Sequence, residues 1–235
     1  MVIEREKALA KARKKLKEVF QEKDYTIVNA VNTIEDLNKI INMLFERLDE
    51  WNKLFYPEFK AKNIEEYCKR IVEGKLPKSA IEINEEDKNQ LMKMTHELLN
   101  LIELRKITEK YSNKICKDMA PNVSYLIGPE LAAKLIAAAG GIKKIGLMPA
   151  STIQVIGAEK ALFKHLKTGT KPPKHGLIFQ YAPIGKAPKK KRGKIARIVS
   201  SKIAIAAKAD AFTKNFIAGK LKQEMDEKIK QTLSS

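Results

Sequence analysis

Between Tyr25 and Lys53 apolar residues return with the period of a coiled coil. Ile27, Ala30, Ile34, Leu37, Ile41, Leu44, Leu48 and Trp51 follow one another at spacings that alternate between three and four. That spacing keeps them on one stripe of an α-helix, with charged and amide residues between. The pattern predicts one helix through Lys53, roughly 40–45 Å long at about 1.5 Å per residue. Val31, Ile40 and Phe45 widen the stripe beyond a two-stranded seam, so the helix is expected to meet more than one neighbour. Ahead of it, Met1–Gln21 is rich in helix formers, with Ala8, Ala12, Leu16, Val19 and Phe20 on one face. This predicts a solvated helical lead-in over residues 1–24.

The pattern then changes. "WNKLFYPEFKAKNIEEYCKR" is aromatic-rich and broken by Pro57, and Gly74 and Pro77 punctuate the next stretch of chain. Asn84 has the character of a helix cap before the acidic start "EEDKNQ", where carboxylates suit a helix N-terminus. Leu91, Met94, Leu98 and Leu101 open a second seam, which shifts phase to Leu104, Ile107, Tyr111 and Ile115. Two long helices joined by an aromatic-anchored tip predict an antiparallel coiled-coil hairpin over residues 25–120, packed along Ile34, Leu37, Ile41, Leu44 and Leu48. From Pro121 apolar segments shorten and small residues multiply. Gly140–Gly141 ends one short helix, and Pro149 precedes another. A further helix is expected from Gly193 to Phe212, with Ile195, Val199, Ile203, Ala206 and Ala207 inward. A last amphipathic one is expected from Thr213 to Thr232, with Leu177–Tyr181 as a short extended piece. The fold class is all-α: a long hairpin followed by a compact helical domain over residues 121–235.

Charge divides the chain at the same place. Residues 1–118 carry 24 Lys+Arg against 22 Asp+Glu, whereas residues 119–235 carry 22 against 6. The first part has the mixed charge of solvated helices, and the second is a polycation whose field favours phosphate or anionic lipid. Its longest apolar run, Leu135–Ile142, is far too short to span a bilayer, so no membrane role is expected. No leader pattern opens the chain, and two cysteines, Cys68 and Cys116, suit a reducing compartment.

The motifs of catalysis are missing. Neither GxxxxGK[ST] nor GxGxxG occurs, and "TGTK" at Thr168–Lys171 has the spacing of neither. His96, His165 and His175 do not join the cysteines at zinc-ligand spacing. Glu159 is the only acid near the latter two, so no orienting partner for a dyad is evident. No catalytic residue, metal or cofactor is predicted. The Gly-Ile-Gly turns of "AAGGIKKIGLMPASTIQVIG" are too loosely spaced for a helix-hairpin-helix.

What remains is Gly157–Arg197, with 12 basic residues and one acid. Lys160, Lys164 and Lys167 recur at four and three on one helix face. Lys171 and Lys174 come next, on a loop of threonine, glycine and proline. Lys190, Arg192, Lys194 and Arg197 run from a lysine cluster into the next helix, where cations oppose the helix dipole unless an anion sits there. His175 lies among them as an imidazole able to stack on a base or bond to a phosphate. A solubilising surface is the plain alternative; binding of a nucleic-acid backbone is the reading we favour. Lysine dominance and the scarcity of Arg and Asn point to backbone and shape recognition of structured RNA over major-groove readout.

These residues resemble a known family. "LMPASTIQVIGAEKALFKHLKTGTKPPKHGLIFQ" and "RGKIARIVSSKIAIAAKADAF" look like the Nop domain. "MAPNVSYLIGPELAAKLIAAAGGIKKI" is similar to its entry, and "EWNKLFYPEF" resembles the aromatic stretch of the family's coiled coil. The likeness covers roughly Tyr25 to Lys220 and is strongest to the box C/D ribonucleoprotein branch of archaea. The resemblance implies a scaffold without a catalytic centre. It would bind a kink-turn guide RNA jointly with a small kink-turn-binding protein of the ribosomal type, dimerise through the coiled coil, and hold the methyltransferase fibrillarin for guided 2′-O-methylation of RNA. It places Gly157, Ala158 and Glu159 against the protein partner and the cations above along the RNA. The chain is then expected in an archaeal cytoplasm, with the nucleolus the counterpart for eukaryotic relatives.

Two departures bear on this. The family's "GAEKALFR" ends here in Lys164, which keeps the charge and loses the bidentate fork. About 25 residues precede the coiled coil, so a fibrillarin-docking domain is not evident. A splicing factor of the same family, or a generic basic helical binder of nucleic acid, are the alternative readings.

Overall fold

The computed structural model describes residues 5–6, 9–13 and 23–234, and among these no strand occurs. Residues 5–6 and 9–13 are helical and exposed, while Ala8, Leu16, Val19 and Phe20 of the expected lead-in lie outside the described residues. The elements are α1 (Lys23–Phe55), α2 (Ile64–Val72), α3 (Glu85–Met119), α4 (Pro121–Ile127), α5 (Pro129–Ala139), α6 (Ile142–Leu147), α7 (Ala150–Val155) and α8 (Glu159–Thr168). A 3-10 turn (Leu177–Gln180), α9 (Ala182–Gly185), α10 (Arg192–Lys208), a π turn (Ala209–Thr213) and α11 (Ala218–Ser234) complete the chain. They form two compact units, residues 32–110 and a second one built from the chain up to Val31 and from Tyr111 onward.

In the first unit α1 and α3 run antiparallel and share one core. Leu37, Ile41 and Leu48 are buried against Leu91, Leu98 and Ile102, with Ile34 and Leu44 half-buried. The Arg105 guanidinium donates to Asn38 Oδ1 across the pair at 3.0 Å. The register of α3 differs from expectation. Its buried line is Leu91, Thr95, Leu98 and Ile102, while Met94 and Leu101 are half-buried and Leu104, Ile107 and Tyr111 are exposed. Thr95 enters the seam because its hydroxyl is satisfied within the helix, donating to the Leu91 carbonyl at 2.7 Å. At the tip Tyr67 meets Phe45 and Phe59 edge-on, with centroids 5.1 and 4.6 Å away, and the Arg70 guanidinium lies 4.7 Å from the Phe59 centroid. Asn63 accepts from the Glu66 amide at 2.9 Å to start α2, and Asn84 from the Asp87 amide at 2.7 Å to start α3.

The second unit packs around α10. Ile195, Ala196, Val199, Ile203, Ala206 and Ala207 are buried, and alanines on α5 and α10 let short helices approach closely. Ile27 and Val31 from the start of α1 and Cys116 from the end of α3 join this core. Asp210, 1% exposed, accepts from the Asn122 and Val123 amides at 3.0 and 2.9 Å and so caps α4 from the far end of the fold. That capture bends the chain after α10 through the π turn to left-handed Lys214 (φ 59°), so the last helix starts at Ala218 and not at Thr213. The expected extended piece at Leu177–Tyr181 is likewise corrected. Only Gly176 and Leu177 pair with a neighbouring segment, donating to the carbonyls of Gln154 and Ile156 at 2.8 and 2.7 Å. The chain then tightens into the 3-10 turn, which buries Ile178.

Candidate nucleic-acid interface

The interface grows from the pairing of α7 with the loop that returns from α8. Gly157 takes φ +82°, and a Cβ there would sit 2.5 Å from Leu177 Cγ. At Gly176 a Cβ would lie 1.9 Å from the Ile156 carbonyl oxygen. Glycine is therefore required at both ends of this crossing. Glu159 folds back so that its carboxylate accepts the Gly157 amide at 2.7 Å, and Gln154 donates to the Lys174 carbonyl at 2.6 Å. The sequence reading missed Gln154, since an amide on a short helix carries no signal of its distant partner.

Between these anchors α8 stands out from the domain, with none of its residues buried. Lys160, Lys164 and Lys167 are exposed along it, and Phe163 and Leu166 are exposed at 62% and 70%. These two apolar side chains were also missed; their spacing alone looks like the inward face of an ordinary amphipathic helix. Ala158 is half-buried, and Gly157 and Glu159 are exposed beside them. Thr168 closes α8 by donating to the Lys164 carbonyl at 2.8 Å, and Gly169 leaves it at φ +65°.

Beyond α8 the loop and α10 enclose a groove of about 460 Å³ lined by Gln154, Lys171, Pro172, Pro173, Lys174, Lys190, Gly193 and Arg197. Four predicted cations thus converge on one cleft from segments far apart in sequence. Among the described residues none of them forms an ion pair, and neither do Lys160, Lys164, Lys167 and Lys194. Lys194 is exposed on α10 outside the groove lining.

Arg192 behaves differently. It is half-buried, donates from Nε and Nη2 to the carbonyls of Ala187 and Gly185 at 2.9 and 3.1 Å, and lies 5.3 Å from the Phe179 centroid. Phe179 in turn stacks on His175 with centroids 4.5 Å apart and planes 11° from parallel. The structure therefore brings Arg192, Phe179 and His175 into one column. Burial, and after it the Arg192 and Lys174 charges, hold His175 below its ordinary basicity. A neutral imidazole backed by an aromatic ring, beside a cleft of unpaired cations, fits a nucleobase edge or face and the phosphates flanking it. Among the described residues no cluster of side chains suits a metal ion, and no helix is long and apolar enough to cross a membrane.

A family model described as the Nop snoRNA binding domain, fibrillarin, matches residues 61–231. The chain belongs to the Nop family. It is 38% identical over 247 residues to an uncharacterized NOP5 family protein of Methanocaldococcus jannaschii, across 93% of this chain and 59% of that protein. It is 33% identical over 230 residues to nucleolar protein 58 of Schizosaccharomyces pombe, across 86% of this chain and 45% of that protein. It is also 33% identical over 255 residues to nucleolar protein 56 of Dictyostelium discoideum, across 93% and 47%. Among solved structures it is similar to a crystal structure of a fibrillarin/Nop5p complex, with a TM-score of 0.65, 29% identity, and 98% of this chain and 78% of that one covered. The chain spans about half the length of the curated relatives it matches. The groove, the His175–Phe179–Arg192 column and the whole of α8 fall inside the Nop match.

Proposed function

We propose that this Nop-family chain is an RNA-binding scaffold of a box C/D guide ribonucleoprotein, working in an archaeal cytoplasm and taking no part in bond chemistry itself. The observation that carries the reading is the convergence of unpaired Lys171, Lys174, Lys190 and Arg197 on one groove. Phosphates of a kinked stem lie in that groove, with His175 and Phe179 against a base at its edge. Lys160, Lys164 and Lys167 continue the cationic track along α8. Arg192 acts by holding Phe179 and the turn before α10, so its contribution to binding is mainly positional.

On α8, exposed Phe163 and Leu166 beside Gly157, Ala158 and Glu159 form the side that meets a small kink-turn-binding protein. RNA and protein are then gripped together, which makes the pre-formed complex the preferred ligand. Ile40 and Met43 on α1 and Leu104 and Ile107 on α3 are exposed apolar positions outside the hairpin's own seam. They are suited to self-association of the coiled coil. Fibrillarin, the methyltransferase of the reading, is recruited to the assembled particle.

The test is fluorescence anisotropy of a labelled kink-turn RNA titrated with this chain, with and without the kink-turn-binding protein, at two salt concentrations. Tight binding only to the pre-formed complex is expected. Equal, weak, salt-erased binding to kinked RNA and to random duplex would overturn the scaffold and leave a nonspecific polycation.

A further inference from the structure

The basic unit carries a second surface away from the groove. Arg197 of the groove and Lys208 stand eleven residues apart on α10, roughly 16 Å at about 1.5 Å per residue. Past Lys208 the chain leaves α10 through the π turn, and every residue from Phe212 to Ile217 is exposed. Phe212 and Phe216 are exposed at 54% and 62%, and Tyr125 of α4 at 56%. Tyr125 and Phe216 meet edge to face, with centroids 5.7 Å apart and planes at 87°.

Buried groups hold this segment in place. Asn122 donates from Nδ2 to the Asn215 carbonyl at 2.9 Å and accepts the Ile217 amide on Oδ1 at 2.7 Å. One buried side chain thus fixes both neighbours of Phe216. The amide of left-handed Lys214 donates to the Ala209 carbonyl at 2.7 Å, which fixes the turn between the two phenylalanines. A ring presented on a backbone already fixed binds with a smaller ordering cost than one on a free loop.

Charge and ring geometry select the occupant. Between Val199 and Gln223 the only acid is Asp210, which is buried and caps α4, and α4 itself carries no charged residue. Lys208 lies four residues before Phe212 and Lys220 four after Phe216, and both are exposed. Neither forms an ion pair among the described residues: Glu224, one turn beyond Lys220, is paired with Lys202, and Asp226 with Lys222. Two rings at a right angle form a corner, where a planar base stacks on one ring while its edge meets the other. Cations before and after the rings in the chain suit the phosphates on either side of that base. We infer that this face is a second RNA site, which stacks unpaired bases of single-stranded RNA on Tyr125 and Phe216 and holds its phosphates with Lys208 and Lys220. It needs nothing from the groove and stands independently of the kink-turn reading.

The test compares two labelled decamers by fluorescence anisotropy, oligouridine and an abasic ribose-phosphate strand of equal charge. The full chain carries Lys171→Ala, Lys174→Ala and Arg197→Ala, so that the groove does not mask the second site. Oligouridine is expected to bind at least about tenfold more tightly than the abasic strand. Tyr125→Leu with Phe216→Leu keeps apolar surface, removes the flat faces, and is expected to erase the difference. If that pair does not fold, Phe216→Trp decides: its emission is expected to be quenched by oligouridine and unchanged by the abasic strand. Equal binding of the two strands, or a Trp emission that neither strand alters, would show that no base stacks here. An undiminished difference in a folded leucine pair would place the base contact elsewhere, with the His175–Phe179 column the first place to look. The acidic peptide acetyl-Glu-Phe-Glu-Leu-amide is expected not to compete, and displacement as strong as that by unlabelled oligouridine would make this a docking face for a polypeptide. Each of these last outcomes overturns the inference, and none bears on the groove, which the kink-turn titration reads separately.

Discussion

The hairpin unit and the groove of the second unit use charge in opposite ways. In residues 32–110 acids and bases answer one another: Glu65 pairs with Lys106 and Lys69, each at 2.7 Å, Arg47 with Glu50 at 2.7 Å, and Lys53 with Asp49. Such exposed pairs add little stability, typically about 0–1 kcal/mol, but they neutralise the surface. Stability there comes from large apolar and aromatic groups at the seam and tip. In the second unit the core is built mainly from isoleucine and alanine, with some leucine and valine, and the groove cations have no acid among the described residues to answer them. Cations brought close together without counter-charges repel one another, a local cost relieved when an anion arrives. The difference teaches where to look: paired charge marks a surface that is finished, and converging unpaired charge marks one that waits for a ligand.

The comparison breaks most sharply at the seam. Leu48 is fully buried, so Leu48→Asp combined with Leu44→Asp should cost about 4–5 kcal/mol or more. Amide exchange should lose its protection through residues 32–110, with the α10 core still protected. Uniform protection in the variant would show that the seam does not carry that unit. Next in size is Gly176→Ala, whose new Cβ would meet the Ile156 carbonyl oxygen at 1.9 Å. A local loss of about 3 kcal/mol is expected, with affinity for the RNA–protein complex down more than about tenfold and the coiled-coil unit unchanged. Retained affinity would mean that binding does not need this loop geometry.

A smaller effect separates the two kinds of charge. If about five phosphates are neutralised, log affinity falls against log salt with a slope of about −4 to −5. Lys171→Ala, Lys174→Ala and Arg197→Ala together should make that slope shallower by about 2–3, whereas Arg47→Ala with Lys53→Ala should leave it alone. Equal changes in the two sets would erase the distinction between paired and unpaired charge. Smallest is the acid response of Glu65, whose carboxyl is brought from 4.5 to about 2 by its bonds to Lys106 and then Lys69. The folded chain holds that proton less tightly than the unfolded one. The contribution is therefore complete above the ordinary carboxyl range and disappears as the pH falls toward about 2. Glu65→Gln should cost no more than about 1 kcal/mol near neutral pH, and the gap to wild type should close in acid melts. A gap that widened with acid would reverse the assignment.

Legibility tracked the range of the interactions. Leu37, Ile41 and Leu48 are buried as their heptad spacing requires, and Asn84 and Gly140 end or begin helices as local backbone chemistry dictates. Thr95 was not legible as a seam residue, because apolar counting prefers Met94 and ignores a hydroxyl that its own helix satisfies. Arg192 belongs by sequence to the run Lys189–Arg192, yet carbonyls five and seven residues before it draw its guanidinium inward. Phe179 was read only as part of a short extended piece, and it stands 38% exposed against His175.

By itself the sequence determined the helical class, the two long amphipathic helices, the change of character near Pro121, the family, and a strong positive charge confined to the second half. Each of these arises from composition or from neighbours within a few turns of chain. The tertiary structure alone decided that Gln154, Lys171, Lys174, Lys190 and Arg197 share a groove, that Asp210 caps a helix 88 residues away, and that Asn52 is left with an unanswered oxygen. Those outcomes depend on how short helices pack. Packing is set by steric fit among small side chains and by polar groups that must find partners wherever the folded chain puts them, and no local pattern records either.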